Sequence, residues 1–370
     1  MERSTLKFAS TRRDFVTTLN SRVNDYFKSN KISKQGNSEM HFKTVFMFML
    51  YFVPYTLILT GTVTGTLALL SMAVIMGLGL AGIGLSVMHD ANHGAYSKKA
   101  WVNDTIGYSL NLLGATSYTW KLQHNVLHHT YTNIHDEDED ISPRGVLRFN
   151  PHTDWKRMHR YQFIYAWPLY GLMTIVWLMF KDFTRLTRYT RIGLVTAQKG
   201  NVTKEWTILF LTKIFFVVYT FIIPLALTPL LWWQIVIGIL IMHMLAGFIL
   251  AIIFQPAHVI EGTEFPLPDE NRTIDNNWAI HQLLTTTNFG NNSKWFSWYV
   301  GGLNFQIEHH LFPNVCHVHY NKIAGIVQTT AREFGLPYKS SKTFLGALAG
   351  HARLLKQLGV RPAVMAASVS

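Results

Sequence analysis

The sequence predicts an all-α integral membrane protein: four transmembrane helices in two hairpins, with a cytoplasmic helical cap that holds a di-metal site. Three observations lead there. Only 15% of the 370 residues are charged, while 49% are apolar and 14% aromatic. Several apolar stretches approach the ~20 residues that cross a bilayer as a helix. Histidine gathers in three short clusters, HDANH (His89, His93), HNVLHH (His124, His128, His129) and QIEHH (Gln306, His309, His310), which hold seven of the 17 histidines.

Residues 1–43 form a polar N-terminal segment with one amphipathic stretch. Phe15, Leu19, Val23 and Phe27 repeat at helical spacing, and Ser10 or Thr11 is placed to cap the start. Arg12, Arg13, Arg22 and Lys28 surround that face. Two readings stand level: a helix packed on the rest of the protein, or one lying on the membrane surface. The first apolar run begins only near Val45, so no cleavable signal peptide is expected.

From Val45 to Met88 no residue is charged, which is too long for one helix. Gly61 and Gly65 predict a turn, giving spans at about 45–61 and 66–87, with the first histidine cluster at the end of the second. Residues 105–117 are apolar but too short to cross, and are expected to be buried or interfacial. After the second cluster comes HDEDED, His135 to Asp140. Such a run usually marks a solvated surface, which is the favoured reading. The alternative is that its carboxylates orient ligand imidazoles.

Three apolar runs follow, 163–180, 206–227 and 232–254. If all three crossed, the third histidine cluster would lie across the bilayer from the other two. The 163–180 run is basic on both flanks, with Arg157 and Arg160 before it and Lys181, Arg185, Arg188 and Arg191 after it. The positive-inside rule puts both its ends in the cytoplasm, so it is read as interfacial or re-entrant. The other two runs are joined by an uncharged turn at Thr228–Leu231, and Lys213 snorkels from near one end. The membrane domain then spans 44–320, and residues 321–370 supply cytoplasmic helices, with amphipathic patterns at 318–334 and 342–358. Both termini and all three clusters face the cytoplasm.

The clusters carry the chemistry. Neutral imidazole is the commonest protein metal ligand. On a helix, positions i, i+3 and i+4 share a face, so His89 points with His93, His124 with His128, and Gln306 with His309 and His310. Seven imidazoles are too many for one four-coordinate zinc and about right for two metals with open positions. Ligand type alone leaves iron, copper, zinc and nickel open. Cys316 is the only cysteine, which excludes an internal disulfide and a thiolate-held iron–sulfur cluster. The net charge of +12 fits cytoplasmic loops facing anionic lipid better than nucleic acid, which is not expected as a partner. A membrane zinc protease would need HExxH, which this chain lacks.

These clusters, in this order on a four-span chain, resemble the membrane fatty-acyl desaturases. That family carries HD-x-x-H, H-x-x-x-HH or H-x-x-HH, and (H/Q)-x-x-HH. The match runs from the first hairpin to about Tyr320, and GLNFQIEHHLFP (Gly301–Pro313) is similar to the front-end group, without the HPGG haem motif of its cytochrome b5 fusions. The resemblance implies two non-haem irons held by His89, His93, His124, His128, His129, His309 and His310. It adds His258 in QPAHV as a further ligand, and leaves Gln306 as a weak or water-mediated one. It further implies dioxygen, a long-chain acyl substrate carried by CoA or lipid, and a separate electron donor such as cytochrome b5 or ferredoxin. The membrane would be a bacterial inner membrane, or the endoplasmic reticulum in a eukaryote. The implied activity is insertion of a cis double bond, delta-6 or linoleoyl-CoA-like. A hydroxylase of the same superfamily is the alternative reading, and a metal transporter a lesser one, since transport would set ligands midway along spans. His41, His152, His159, His317, His319 and His351 are read as ordinary packed or surface residues, and His243 as a packing or hydrogen-bonding group. His135 and His281 stay open between ligand and support.

Overall fold

The computed structural model describes residues 6–143 and 145–362, so the outer ends of the two terminal segments lie outside the described residues. The chain is mostly helical and divides into two compact units. One comprises residues 36–122 and 167–252, and the other 1–35, 123–166 and 253–370.

Among the described residues, four helices are long and apolar enough to cross a membrane: Ser38–Leu59, Thr66–Asn92, Val202–Leu227 and Trp232–His258. They match the four expected spans, but each starts or ends several residues beyond its apolar run. Polar side chains continue the backbone ladder as well as apolar ones do once a helix is nucleated. This extension is what carries His89 and His258 as parts of helices. Between 28% and 50% of each apolar window is buried, so the remaining side chains face outward. Phe42, Leu67, Leu211 and Trp232 are all more than half exposed, an arrangement suited to lipid rather than water.

Within the 36–122 and 167–252 unit, the first two long helices approach closely at Gly79, where a Cβ would sit 2.8 Å from the Tyr51 nitrogen. Tyr219 on the third long helix ties several elements together. Its hydroxyl donates to the Leu112 carbonyl at 2.6 Å and lies 2.8 Å from the Tyr51 hydroxyl, which donates to it. His243 packs against Phe216 and has Nδ1 3.2 Å from the Thr174 hydroxyl, a hydrogen-bonding role as expected. Residues 105–117 form short helical turns from Ala100–Gly107 and Ser109–Leu112, with Leu110 and Ala115 buried. A fifth apolar stretch is broken. Its halves, Arg157–Gly171 and Met173–Arg191, meet at 64°, the geometry of a broken span or a re-entrant loop.

In the other unit, the Arg13–Ser29 helix buries Phe15, Leu19, Val23 and Phe27 against Ile280, Leu283, Phe312, Ile323 and Val327. The packed reading of this amphipathic helix therefore holds, and the membrane-surface reading does not. Burial of four such side chains contributes about 1.5–3 kcal/mol each. Neither Ser10 nor Thr11 caps the helix. The chain enters through Arg12 in a left-handed conformation (φ 50°), because the Asn277 amide holds the Thr11 carbonyl at 2.6 Å. Two short parallel strand pairs complete the unit, Lys7–Phe8 with Thr273–Ile274 and Asn288–Phe289 with Ser340–Ser341. Helices Tyr320–Glu333 and Phe344–Leu358 fall where the two amphipathic patterns predict them.

Candidate metal centre

The second histidine cluster does not sit on a plain α-helix. Leu122–His128 is π-helical, closing i→i+5 hydrogen bonds. That wider turn puts residues five apart on one side. His124 Nε2 therefore lies 3.3 Å from His129 Nε2, a pairing that α-helical spacing does not anticipate. His128 keeps its expected place beside His124, with the rings stacked 5.1 Å apart.

The third cluster is carried by the short helix Gln306–Leu311. His309 Nε2 lies 3.0 Å from His129 Nε2, and the His310 ring stacks on His129 at 4.3 Å. His258, last residue of the fourth long helix, sets its ring 4.6 Å from His128 and 4.8 Å from His310. Donor nitrogens of His128, His258 and His310 lie within 4.8 Å of one another, as do those of His129, His309 and His310. All six of these histidines are buried.

These distances fit metal ligation. With metal–nitrogen bonds of about 2.1 Å, neighbouring nitrogens around one ion are roughly 3.0–3.4 Å apart, and the His124–His129 and His129–His309 separations fall in that range. His128 Nε2 is buried with no hydrogen-bond partner, while its Nδ1 is held by Asp138. A buried ring nitrogen without a partner is costly unless something such as a metal accepts its lone pair. The buried histidines form groups that could hold metal.

The far sides of the His124, His128, His309 and His310 rings each meet another residue. Asp140 Oδ2 lies 2.7 Å from His124 Nδ1, and Asp138 Oδ2 lies 2.9 Å from His128 Nδ1. Burial disfavours the charged form of His128, but the Asp138 and Asp140 carboxylates together outweigh it and raise its pKa. The acid run is thus not a mere solvated surface. The π-helical turn and the loop after it fold Asp138 and Asp140 back onto the rings. His310 Nδ1 lies 2.8 Å from Gln282 Oε1. The Gln282 amide is fixed because its Nε2 donates to the His129 carbonyl at 3.2 Å. The oxygen must then accept, so His310 Nδ1 carries the proton and Nε2 keeps its lone pair. His309 Nδ1 lies 3.2 Å from the Tyr320 hydroxyl.

Gln306 is buried. Its Nε2 donates to the Leu303 carbonyl at 2.8 Å, and its Oε1 has no hydrogen-bond partner. Glu308, between Gln306 and His309, is anchored by the Asn288 amide at 2.8 Å and the Tyr338 hydroxyl at 3.0 Å. Burial pushes its carboxyl up to about 7, against those hydrogen bonds.

In the 36–122 and 167–252 unit, His89 and His93 share a face as the i, i+4 spacing requires, with rings 4.7 Å apart. The remaining histidines have other engagements. His281 Nε2 meets the Thr132 carbonyl at 2.8 Å, and burial lowers its pKa to about 4. His152 and His319 meet the carbonyls of Phe265 and Gln35. His135 is half-buried beside Asp136. Neither His135 nor His281 joins a metal-competent group among the described residues. Sequence reading missed Gln282 and Tyr320 as partners of His310 and His309. Only the neighbouring His281 drew attention to that helix.

Comparison with known proteins finds relatives along nearly the whole chain. The fatty acid desaturase family model matches residues 64–342. A protein of Arthrospira platensis named sn-1 linoleoyl-lipid 6-desaturase is 38% identical over 94% of this chain and 93% of its own length. A Synechocystis protein of the same name is 35% identical over 96% and 98%. An acyl-lipid (8-3)-desaturase of Physcomitrium patens is 37% identical over 97% of this chain and 75% of its own length.

Proposed function

The chain belongs to the fatty acid desaturase family and is an oxidoreductase of its front-end type, and from that premise we propose that it desaturates a lipid-linked, linoleoyl-type acyl chain through a centre of two non-haem irons. The overall reaction takes a –CH2–CH2– unit, dioxygen, two electrons and two protons to a cis –CH=CH– and two waters. Bound iron would supply the oxygen-activating chemistry that removal of hydrogen from an unactivated methylene requires. The proposed ligands are His89, His93, His124, His128, His129, His258, His309 and His310, with Gln306 presenting a neutral amide oxygen. The observation that carries this reading is the convergence of the His124, His129 and His309 Nε2 atoms.

The protein's own part is to hold those rings ready. Asp138, Asp140, Gln282 and Tyr320 fix tautomer and orientation, so that the nitrogens facing inward are lone-pair donors. Burial of the six rings keeps bulk water from the reacting methylene. Relatives named for lipid-linked substrates, over nearly their whole lengths in the two cyanobacterial cases, support a lipid carrier over CoA. We place the four long helices in two membrane hairpins within a 44–320 membrane domain, with both termini and the histidines on the cytoplasmic side. The bent 157–191 segment then lies in the interface, and residues 321–370 add helices to the cap. The membrane is a bacterial inner membrane, or the endoplasmic reticulum in a eukaryote. Electrons come from a separate donor of the cytochrome b5 or ferredoxin kind.

The test is fatty-acid profiling of a host that expresses the protein and is fed linoleate. The expected product is two hydrogens lighter, with its new double bond between the existing ones and the carboxyl end. A product heavier by one oxygen, from well-expressed protein, would contradict desaturation.

A further inference from the structure

Asp182 is fully buried, yet its one carboxylate gathers donors from three stretches of chain. Oδ1 accepts from the Thr119 hydroxyl at 2.6 Å, the Trp177 indole at 2.8 Å and the Thr116 hydroxyl at 3.2 Å. Oδ2 accepts from Lys213 Nζ at 2.7 Å and from the Thr116 backbone at 3.1 Å. Lys213 also donates to the Gly114 carbonyl at 2.6 Å. Gly114 has φ +88°, and a Cβ there would lie 2.7 Å from Leu178, so the chain is pinned through this turn. Removing one partner of such a buried, hydrogen-bonded ion pair would leave the other charge uncompensated.

The pinned segment, 114–119, leads straight into Trp120. The Trp120 ring meets His89 at 5.5 Å and 74°, and His93 at 5.6 Å and 79°. These are edge-to-face contacts, which favour one ring orientation over others. Trp120 and Trp177 pack in one apolar cluster with Met88, which precedes His89. Every residue in this chain of contacts lies in the same unit.

We propose that the Asp182–Lys213 pair is a positioning device: it fixes the 114–119 turn, and thereby the Trp120 ring that holds His89 and His93 in ligating orientation. Asp182 and Lys213 touch no substrate and bind no metal. They act through Trp120. The proposal rests on the reading of His89 and His93 as ligands, and the experiment separates the two.

Metal-free full-length protein in lipid nanodiscs is titrated with Co2+, following stoichiometry, affinity and the visible absorption bands. The variants are Trp120→Phe, Trp120→Leu, Asp182→Asn, the doubly neutral Asp182→Asn/Lys213→Met, and His89→Ala. Wild type is expected to bind two Co2+. Trp120→Leu and Asp182→Asn should weaken one of the two sites by about tenfold, with altered bands for that site alone, in line with losses seen when supports of metal ligands are removed. Trp120→Phe restores the ring edge and should restore the site. A general structural defect would weaken both sites together, and that outcome overturns the proposal. Should Asp182→Asn fail to fold, Trp120→Leu and the double variant decide. If His89→Ala loses one site while Trp120→Leu binds both ions with wild-type affinity, the positioning role is wrong and the ligand reading stands. If His89→Ala binds both ions normally, the ligand reading fails and this proposal fails with it.

Discussion

His124 Nδ1 and Asp140 Oδ2 lie 2.7 Å apart, so a carboxylate from the acid run holds the back of a histidine whose front faces His129 and His309. Asp138 stands in the same relation to His128 and also accepts the Asn133 backbone N–H at 2.9 Å. Removing either charge should loosen the ring and lower the basicity of its inward nitrogen. Asp138→Asn and Asp140→Asn are each expected to lower iron affinity by about 10–100-fold while the protein still inserts in the membrane. Competition with a calibrated chelator measures this. Wild-type iron retention in both variants would return the acid run to a surface role.

Gln306 offers a sharper case, because its amide is already oriented. Nε2 is committed to the Leu303 carbonyl, which leaves Oε1 as the free atom. Gln306→Ala should reduce turnover by one to two orders of magnitude. Gln306→His introduces a larger ring with firmer ligation, and is expected to keep iron while losing most or all activity. Full rate and full iron in Gln306→Ala would remove this residue from the centre.

His351 predicts a pH dependence of stability. It is buried, its Nδ1 donates to the Val259 carbonyl at 2.5 Å, and burial lowers its pKa to about 4. The unfolded imidazole titrates near 6.5, so below that pH the unfolded chain binds a proton that folded His351 refuses. Its contribution is intact above about pH 6.5 and shrinks as pH falls toward 4, by roughly 1.4 kcal/mol per unit. His351→Asn keeps a neutral N–H donor and should flatten the fall in thermal midpoint between pH 7 and pH 5. An unchanged slope would assign the acid sensitivity elsewhere.

The membrane arrangement is testable by labelling. Gln198 is exposed in the basic segment after the bent helices, and Thr62 is exposed in the first uncharged turn. In a Cys316→Ser background, Gln198→Cys should react only from the cytoplasmic side and Thr62→Cys only from the other. Reaction of Gln198→Cys from outside would overturn the four-span arrangement.

Much of this was legible in the sequence where one physical pattern dominates. The four spans follow from uninterrupted apolar runs, and the Phe15–Leu19–Val23–Phe27 stripe from helical period alone. The i, i+4 rule places His89 with His93, but a π-helical turn has no signature in residue spacing, so the meeting of His124 with His129 was not foreseen. Asp138 and Asp140 look like solvated charge because their partners depend on how a loop folds back. Gln282 and Tyr320 reach His310 and His309 through side-chain contacts from other helices, which spacing along one helix does not reveal. The helix start at Arg13 was decided by Asn277, a residue far away in sequence, rather than by the nearby hydroxyls.

The proposed centre holds two irons. The most direct measurement is elemental analysis of protein purified from iron-replete cells, paired with its absorption spectrum. Two irons per chain and no Soret band are expected. One metal per chain, or a haem spectrum, would contradict the account.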